Sequence, residues 1–178
     1  YLESGEMALI TRKMVRYQDL DGNSLEKQPA RVSPENLLID KGGHRHFMLK
    51  EIMEQPEAIR NCLRGRIDER EGRVVLGGLA KVTRDLVRAK RFTVTAQGTA
   101  YYAGLIGEYL LQDLAKVPAR CEYASEFRYR NPIIEDDSVI IAISQSGETA
   151  DTVSAMQMVR EKGGRLITIC NVDGSQAT

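Results

Sequence analysis

The sequence predicts an α/β protein, a parallel sheet with helices on both faces, doubly wound, preceded by a short β-ribbon and linker helices. Three observations carry this. From Phe92 onward, short β-branched runs alternate with amphipathic stretches of helical period, the pattern of strands joined by crossover helices. Each strand but one is followed by a Gly/Ser/Thr- or Asn/Gly-rich loop. Hydrophobic residues make up 42% of the 178 residues and charged ones 28%, enough to bury a core and outside the disordered or collagenous range.

Taken in order, Met7 to Thr11 and Met14 to Gln18 alternate apolar and polar positions and read as strands, with turns at Ser4-Gly5 and at Leu20-Asp21-Gly22-Asn23. Asp-Gly favours a tight hairpin. Gln28 to His46, with prolines at 29 and 34 and the Lys41-Gly42-Gly43 turn, has no sustained period and reads as a linker. Met48, Ile52, Pro56, Ile59 and Leu63 then recur on one helix face, with Pro56 marking a kink or a second start. Leu79 to Lys90 is expected to form a further amphipathic helix.

The alternation that follows predicts a strand over Phe92 to Ala96, a helix over Ala100 to Leu114 and a strand over Arg120 to Tyr123. After these come a strand over Ser138 to Ile143, a helix over Glu148 to Lys162 and a strand over Leu166 to Cys170. Ala103, Gly104 and Gly107 put small residues on one helix face, allowing close packing against the sheet. Arg128 and Arg130 stand near Glu122 and Glu126 and are expected to pair among themselves.

Composition excludes several functions. Lys plus Arg equals Asp plus Glu at 25 each, so no broad field attracts nucleic acid or an anionic membrane. Apolar runs such as Val139 to Ile143 fall far short of the roughly 20 residues that span a bilayer, and no basic-then-apolar leader opens the chain. Cys62, Cys121 and Cys170 lie far apart, without CxxC or a nearby histidine pair, and read as reduced, mostly packed thiols in a cytoplasmic protein. No metal site or cofactor is expected; GxGxxG and GxxxxGK[ST] are both absent.

In an open parallel sheet, ligands bind beyond the carboxyl ends of strands. Gln97-Gly98-Thr99-Ala100, Ser144 to Thr149 and Asn171 to Ser175 occupy such positions. The second sets three hydroxyls and a glycine at a helix start, where unpaired N–H groups and the helix dipole favour an anion. A phosphate monoester fits, with Gly147 letting the backbone approach and Ser144, Ser146 and Thr149 donating hydroxyl hydrogen bonds. Glu148 then has to point away. The plainer alternative is that Ser144 or Ser146 is an N-cap and Glu148 an acid that complements the dipole.

Ser144-Gln145-Ser146-Gly147-Glu148-Thr149-Ala150-Asp151-Thr152 resembles the sugar-isomerase (SIS) domain of the glutamine:fructose-6-phosphate aminotransferase family. The stretches Arg45 to Ile52, Ala124 to Pro132 and Ile169 to Val172 are similar to its pattern as well. Tyr1 to Ala8 resembles the last strands of its glutaminase domain. The resemblance implies a SIS-type fold with residues 1–30 as the tail of a glutaminase domain, 31–45 as a linker and 46–178 as the first SIS domain, truncated at its carboxyl end. It implies conversion of fructose 6-phosphate and glutamine to glucosamine 6-phosphate and glutamate, a step of amino sugar biosynthesis.

By the same resemblance Ser144, Gln145, Ser146 and Thr149 bind the sugar phosphate, with Gly98 and Thr99 on the facing loop. The family's Cys-Gly-Thr-Ser is Gln97-Gly98-Thr99-Ala100 here, a departure at both ends. No catalytic residue is expected on this stretch, because the family's cysteine nucleophile, base, ring-opening histidine and lysine have no counterpart in it; the piece would be inactive alone. A homo-oligomer formed through the SIS domain is implied. A second reading is a non-catalytic SIS module that senses sugar phosphates.

Overall fold

The computed structural model describes residues 2–28 and 40–178. The chain divides into two compact units, Tyr1–Glu69 and Arg70–Thr178. Residues 31–39 of the expected linker lie outside the described residues.

In the first unit β1 (Glu6–Ile10), β2 (Val15–Asp19) and β3 (Ser24–Leu25) form an antiparallel sheet in that order. Thr11 makes the first turn, its hydroxyl accepting from the Met14 N–H at 3.1 Å. At the second turn the Asp19 carboxylate accepts from the Asn23 N–H at 2.8 Å and Gly22 takes a φ of +85°, an Asx-type turn that suits the Asp-Gly pair. After these strands, α1 (Phe47–Leu63) runs unbroken through Pro56, so the proline starts no second helix. The periodic face is present, yet none of its residues is buried, and Met48 is 73% exposed. Periodicity marks a face without saying what covers it. The unit ends with β4 (Ile67–Asp68).

The second unit opens with β5 (Arg73–Val74). The expected helix over Leu79 to Lys90 is reduced to a 3₁₀ turn over Gly77–Leu79 and the six-residue α2 (Thr83–Arg88). Thr83 donates its hydroxyl to the Leu79 carbonyl at 2.8 Å, a local bond that competes with the regular helix ladder. The alternating elements follow as β6 (Arg91–Ala96), α3 (Gly98–Asp113), β7 (Ala119–Tyr123), α4 (Ala124–Tyr129), β8 (Ser138–Ser144), α5 (Ala150–Glu161) and β9 (Arg165–Cys170). Only α4 has no forerunner in the reading of the sequence; at six residues it is too short to display a period.

The four strands pair in parallel in the order β7-β6-β8-β9. The chain begins in the middle at β6, runs out to β7, and returns to β8 on the other side. Alternate strand residues feed two cores. Phe92, Val139, Ile141 and Ile167 pack with Leu86 of α2 and Leu111 of α3. Ile140 and Leu166 pack with Phe127 of α4 and with Ala155 and Val159 of α5. The sheet is thus covered on both faces, as its run of β-branched residues requires. Gly104 fits α3 against the sheet: a Cβ there would stand 2.6 Å from Cys121 Sγ and 3.0 Å from Val94 Cγ1. Gly107 meets nothing within 4 Å and Ala103 is exposed, so the close approach belongs to Gly104 alone.

Among the described residues no helix is long and apolar enough to cross a membrane. Cys62 is exposed, while Cys121 and Cys170 are half-buried.

Candidate functional site

Because β6 leads to one side of the sheet and β8 to the other, the loops at their carboxyl ends diverge and leave a crevice, the switch point where open α/β sheets take ligands. Gln97 and Gly98 follow β6, and Ser144 to Thr149 end β8 and lead into α5. Both following helices present starts without a side-chain cap: neither Gln97, the N-cap of α3, nor Thr149, the N-cap of α5, makes a capping bond. Their first-turn N–H groups, each set carrying about half a positive charge, are therefore not spent on their own caps.

The loop after β8 is folded around Ser144. Its side chain is buried at 3% exposure, its Oγ accepts from the Gly147 N–H at 3.0 Å, and it lies 3.3 Å from Thr149 Oγ1. Ser146 Oγ accepts from the Glu148 N–H at 3.1 Å. Neither serine is the N-cap; that position belongs to Thr149, because the helix starts at Ala150, two residues after the expected Glu148. Ser146 and Thr149 are half-exposed, and Gln145, Gly98 and Thr99 are exposed. Ser144 braces the loop, and the other hydroxyls remain within reach of a solute.

Gly147, at φ +71°, rests on the turn that follows β9. A Cβ there would overlap Ser175 Oγ and stand 2.9 Å from Cys170 Sγ. Ser175 is itself held by donating to the Val172 carbonyl at 2.9 Å. The same turn draws Glu148 aside: its carboxylate accepts from the Gln176 N–H at 3.1 Å and from Gln176 Nε2 at 2.5 Å. The negative charge closest in sequence to the hydroxyls is thereby committed elsewhere.

Asp151, in the first turn of α5, accepts from Gln97 Nε2 at 3.0 Å through Oδ2 and faces Arg128 Nη1 at 3.5 Å through Oδ1. Arg128 therefore pairs with Asp151 and stacks over the Tyr129 ring. Of the pairing expected among residues 122–130, only Arg130 with Glu122, at 2.5 Å, forms. Gln97, Arg128, Asp151 and Ser175 all lie in loops or stretches singled out in the sequence, yet no local signal marks the contact between positions 54 apart. Two further hydroxyls, Thr95 Oγ1 and Thr152 Oγ1, are fully buried without a hydrogen-bond partner among the described residues.

Elsewhere a cavity of about 810 Å³ opens among the strand beginnings and is lined by Arg91, Arg120, Arg130, Pro132 and Glu135. Its arginines are all paired: Arg91 with Glu135 at 2.6 Å, and Arg120 and Arg130 with the two oxygens of Glu122. No trio of His, Cys, Asp or Glu among the described residues is grouped to hold a metal.

Compared with known proteins, residues 85–178 match the SIS domain family. Glutamine--fructose-6-phosphate aminotransferase [isomerizing] of Chlorobaculum tepidum is 49% identical over 175 residues, covering 98% of this chain and 28% of the relative. The protein of the same name from Bacteroides thetaiotaomicron is 46% identical over 176 residues, covering 98% and 29%. The chain thus spans less than a third of the length of these curated relatives. Among solved structures, the C-terminal domain of glucosamine-fructose-6-phosphate aminotransferase from Francisella tularensis superposes with a TM-score of 0.64 at 37% identity, over 78% of this chain and 38% of that one.

Proposed function

Since the chain belongs to the SIS domain family, we propose that it is the sugar-phosphate-binding part of a glutamine:fructose-6-phosphate aminotransferase. In this reading the whole enzyme is cytoplasmic and homo-oligomeric, makes glucosamine 6-phosphate from fructose 6-phosphate and glutamine, and uses no cofactor. Residues 1–30 are the tail of its glutaminase domain, 31–45 a linker and 46–178 its first SIS domain. The likeness to two curated aminotransferases along 98% of the chain supports this assignment.

The observation that carries the binding role is the loop Ser144 to Thr149 at an uncapped helix start, with Glu148 drawn away by Gln176. Phosphate oxygens are received there by backbone N–H groups and by the hydroxyls of Ser146 and Thr149, with Gln145 beside them and Ser144 bracing the turn. Gly98 and Thr99 form the opposite wall, where the sugar lies. In this reading the hydroxyls and N–H groups of the loop bind and orient the sugar phosphate, which is the chain's part in the reaction. The isomerisation groups belong to other parts of the enzyme.

Calorimetry with fructose 6-phosphate tests the role. Ser146→Ala and Thr149→Ala should each weaken binding by about 0.5–3 kcal/mol, the span of neutral to charge-assisted hydrogen bonds. Unchanged affinity in both variants would reduce the loop to a structural turn.

A further inference from the structure

Gln97, in the loop after β6, and Asp151, in the first turn of α5, stand on the two sides of the crevice, and the 3.0 Å bond between them is a side-chain tie from one wall to the other. Both oxygens of Asp151 are engaged, one by Gln97 and the other by Arg128. Arg128 belongs to α4, whose neighbouring Phe127 is 1% exposed in the core shared with α5. The tie is therefore anchored on a packed element.

We propose that Gln97, Asp151 and Arg128 form a latch that fixes the spacing of the two walls, and that Gln97 and Asp151 act through it as positioning residues for the sugar end of the ligand. This rests on the sugar-phosphate reading of the crevice. The phosphate is served by groups internal to one loop, Ser146, Thr149 and the α5 start. The sugar has to meet Gly98 and Thr99 on the other loop, and these two residues are exposed. Where they stand relative to the phosphate is set by whatever holds the loops together, and a misplacement of a fraction of an ångström loses a hydrogen bond. A glutamine reaches across and donates; a residue without an amide at position 97 leaves Asp151 to Arg128 alone.

The two ends of the ligand can be titrated separately on this chain, with fructose 6-phosphate and with inorganic phosphate. Gln97→Ala should weaken fructose 6-phosphate about three- to tenfold and leave inorganic phosphate within about twofold, the size expected for one coupled hydrogen bond. Asp151→Ala should weaken the sugar phosphate similarly and leave phosphate unchanged or tighter, because a negative charge leaves the helix start. The double variant should be no worse than either single one, since both break the same bond. Asp151→Asn, which keeps an acceptor for Gln97, should retain most of the selectivity.

Equal weakening of both ligands, or additive effects in the double variant, would overturn the latch. A measurement without ligand separates its failure from that of the binding reading. Hydrogen exchange at residues 97–101 should speed up in Asp151→Ala, and unchanged exchange there refutes the latch even if sugar phosphate binds. If exchange at residues 97–101 is faster in Asp151→Ala but the wild-type chain binds neither ligand, the tie exists and the sugar-positioning role is wrong.

Discussion

Cys121 sits where β7 meets α3, its Sγ 3.6 Å from the Tyr101 carbonyl and its N–H donating to Glu108 Oε2 at 2.6 Å. Burial pushes its thiol up to about 11, with the negative charges of Glu108 and Glu122 adding to the effect. A thiol raised in the folded state contributes stability that is complete below its unfolded value, near about 8.5, and is lost as pH rises through the folded one. Alkaline denaturation should therefore steepen between those limits, and Cys121→Ser should flatten it. At pH 8 a disulfide reagent should label exposed Cys62 first and half-buried Cys121, whose raised thiol stays protonated, more slowly. Labelling of Cys121 as fast as that of Cys62 in the native chain would contradict this.

The loop from Ser144 to Thr149 works as an element because its glycine lies against a second loop. Gly147 and Gly163 share a φ of +71°, but only Gly147 has atoms where a Cβ would go. Gly163→Ala should thus cost only the left-handed backbone term, roughly 1–2 kcal/mol. Gly147→Ala should cost that plus about 1–3 kcal/mol for displacing Ser175 and Cys170, and it should also weaken phosphate binding. Denaturant unfolding of the two variants compares them directly. Equal losses would mean that the turn after β9 yields freely and gives the phosphate loop no support.

At the scale of the whole molecule, the buried hydrophobic side chains among the described residues run from Ala89 to Ala177. All fall within the unit Arg70–Thr178. In β1 the residues after Glu6 are all exposed, and a small ribbon without a buried face is marginal in isolation. Native-state hydrogen exchange should accordingly find the slowest amides in β6 and β8, near the global unfolding limit, with β1 and β2 exchanging orders of magnitude sooner. Comparable protection in both units would show that the exposed faces of β1, β2 and α1 are covered in solution.

Local chemistry determined most of the elements. The alternation of β-branched and amphipathic segments set β6 to β9, α3 and α5, because strand and helix periods are written into neighbouring residues. The Ser144 to Thr149 loop was legible for the same reason: hydroxyls and a glycine at a strand-to-helix turn are a contiguous string. Four things needed the tertiary structure. The helix expected over Leu79 to Lys90 is shortened where the Thr83 hydroxyl bonds the Leu79 carbonyl, a side-chain contact that competes with the local pattern, and α1 runs on through Pro56. The exposure of the periodic α1 face depends on which element comes to cover it, and periodicity does not contain that. The strand order β7-β6-β8-β9 brought Gln97 to Asp151 and Gly147 to Ser175, contacts 54 and 28 residues apart. No period or motif records a meeting of that kind, because it is created only when crossover connections bring distant strand ends side by side.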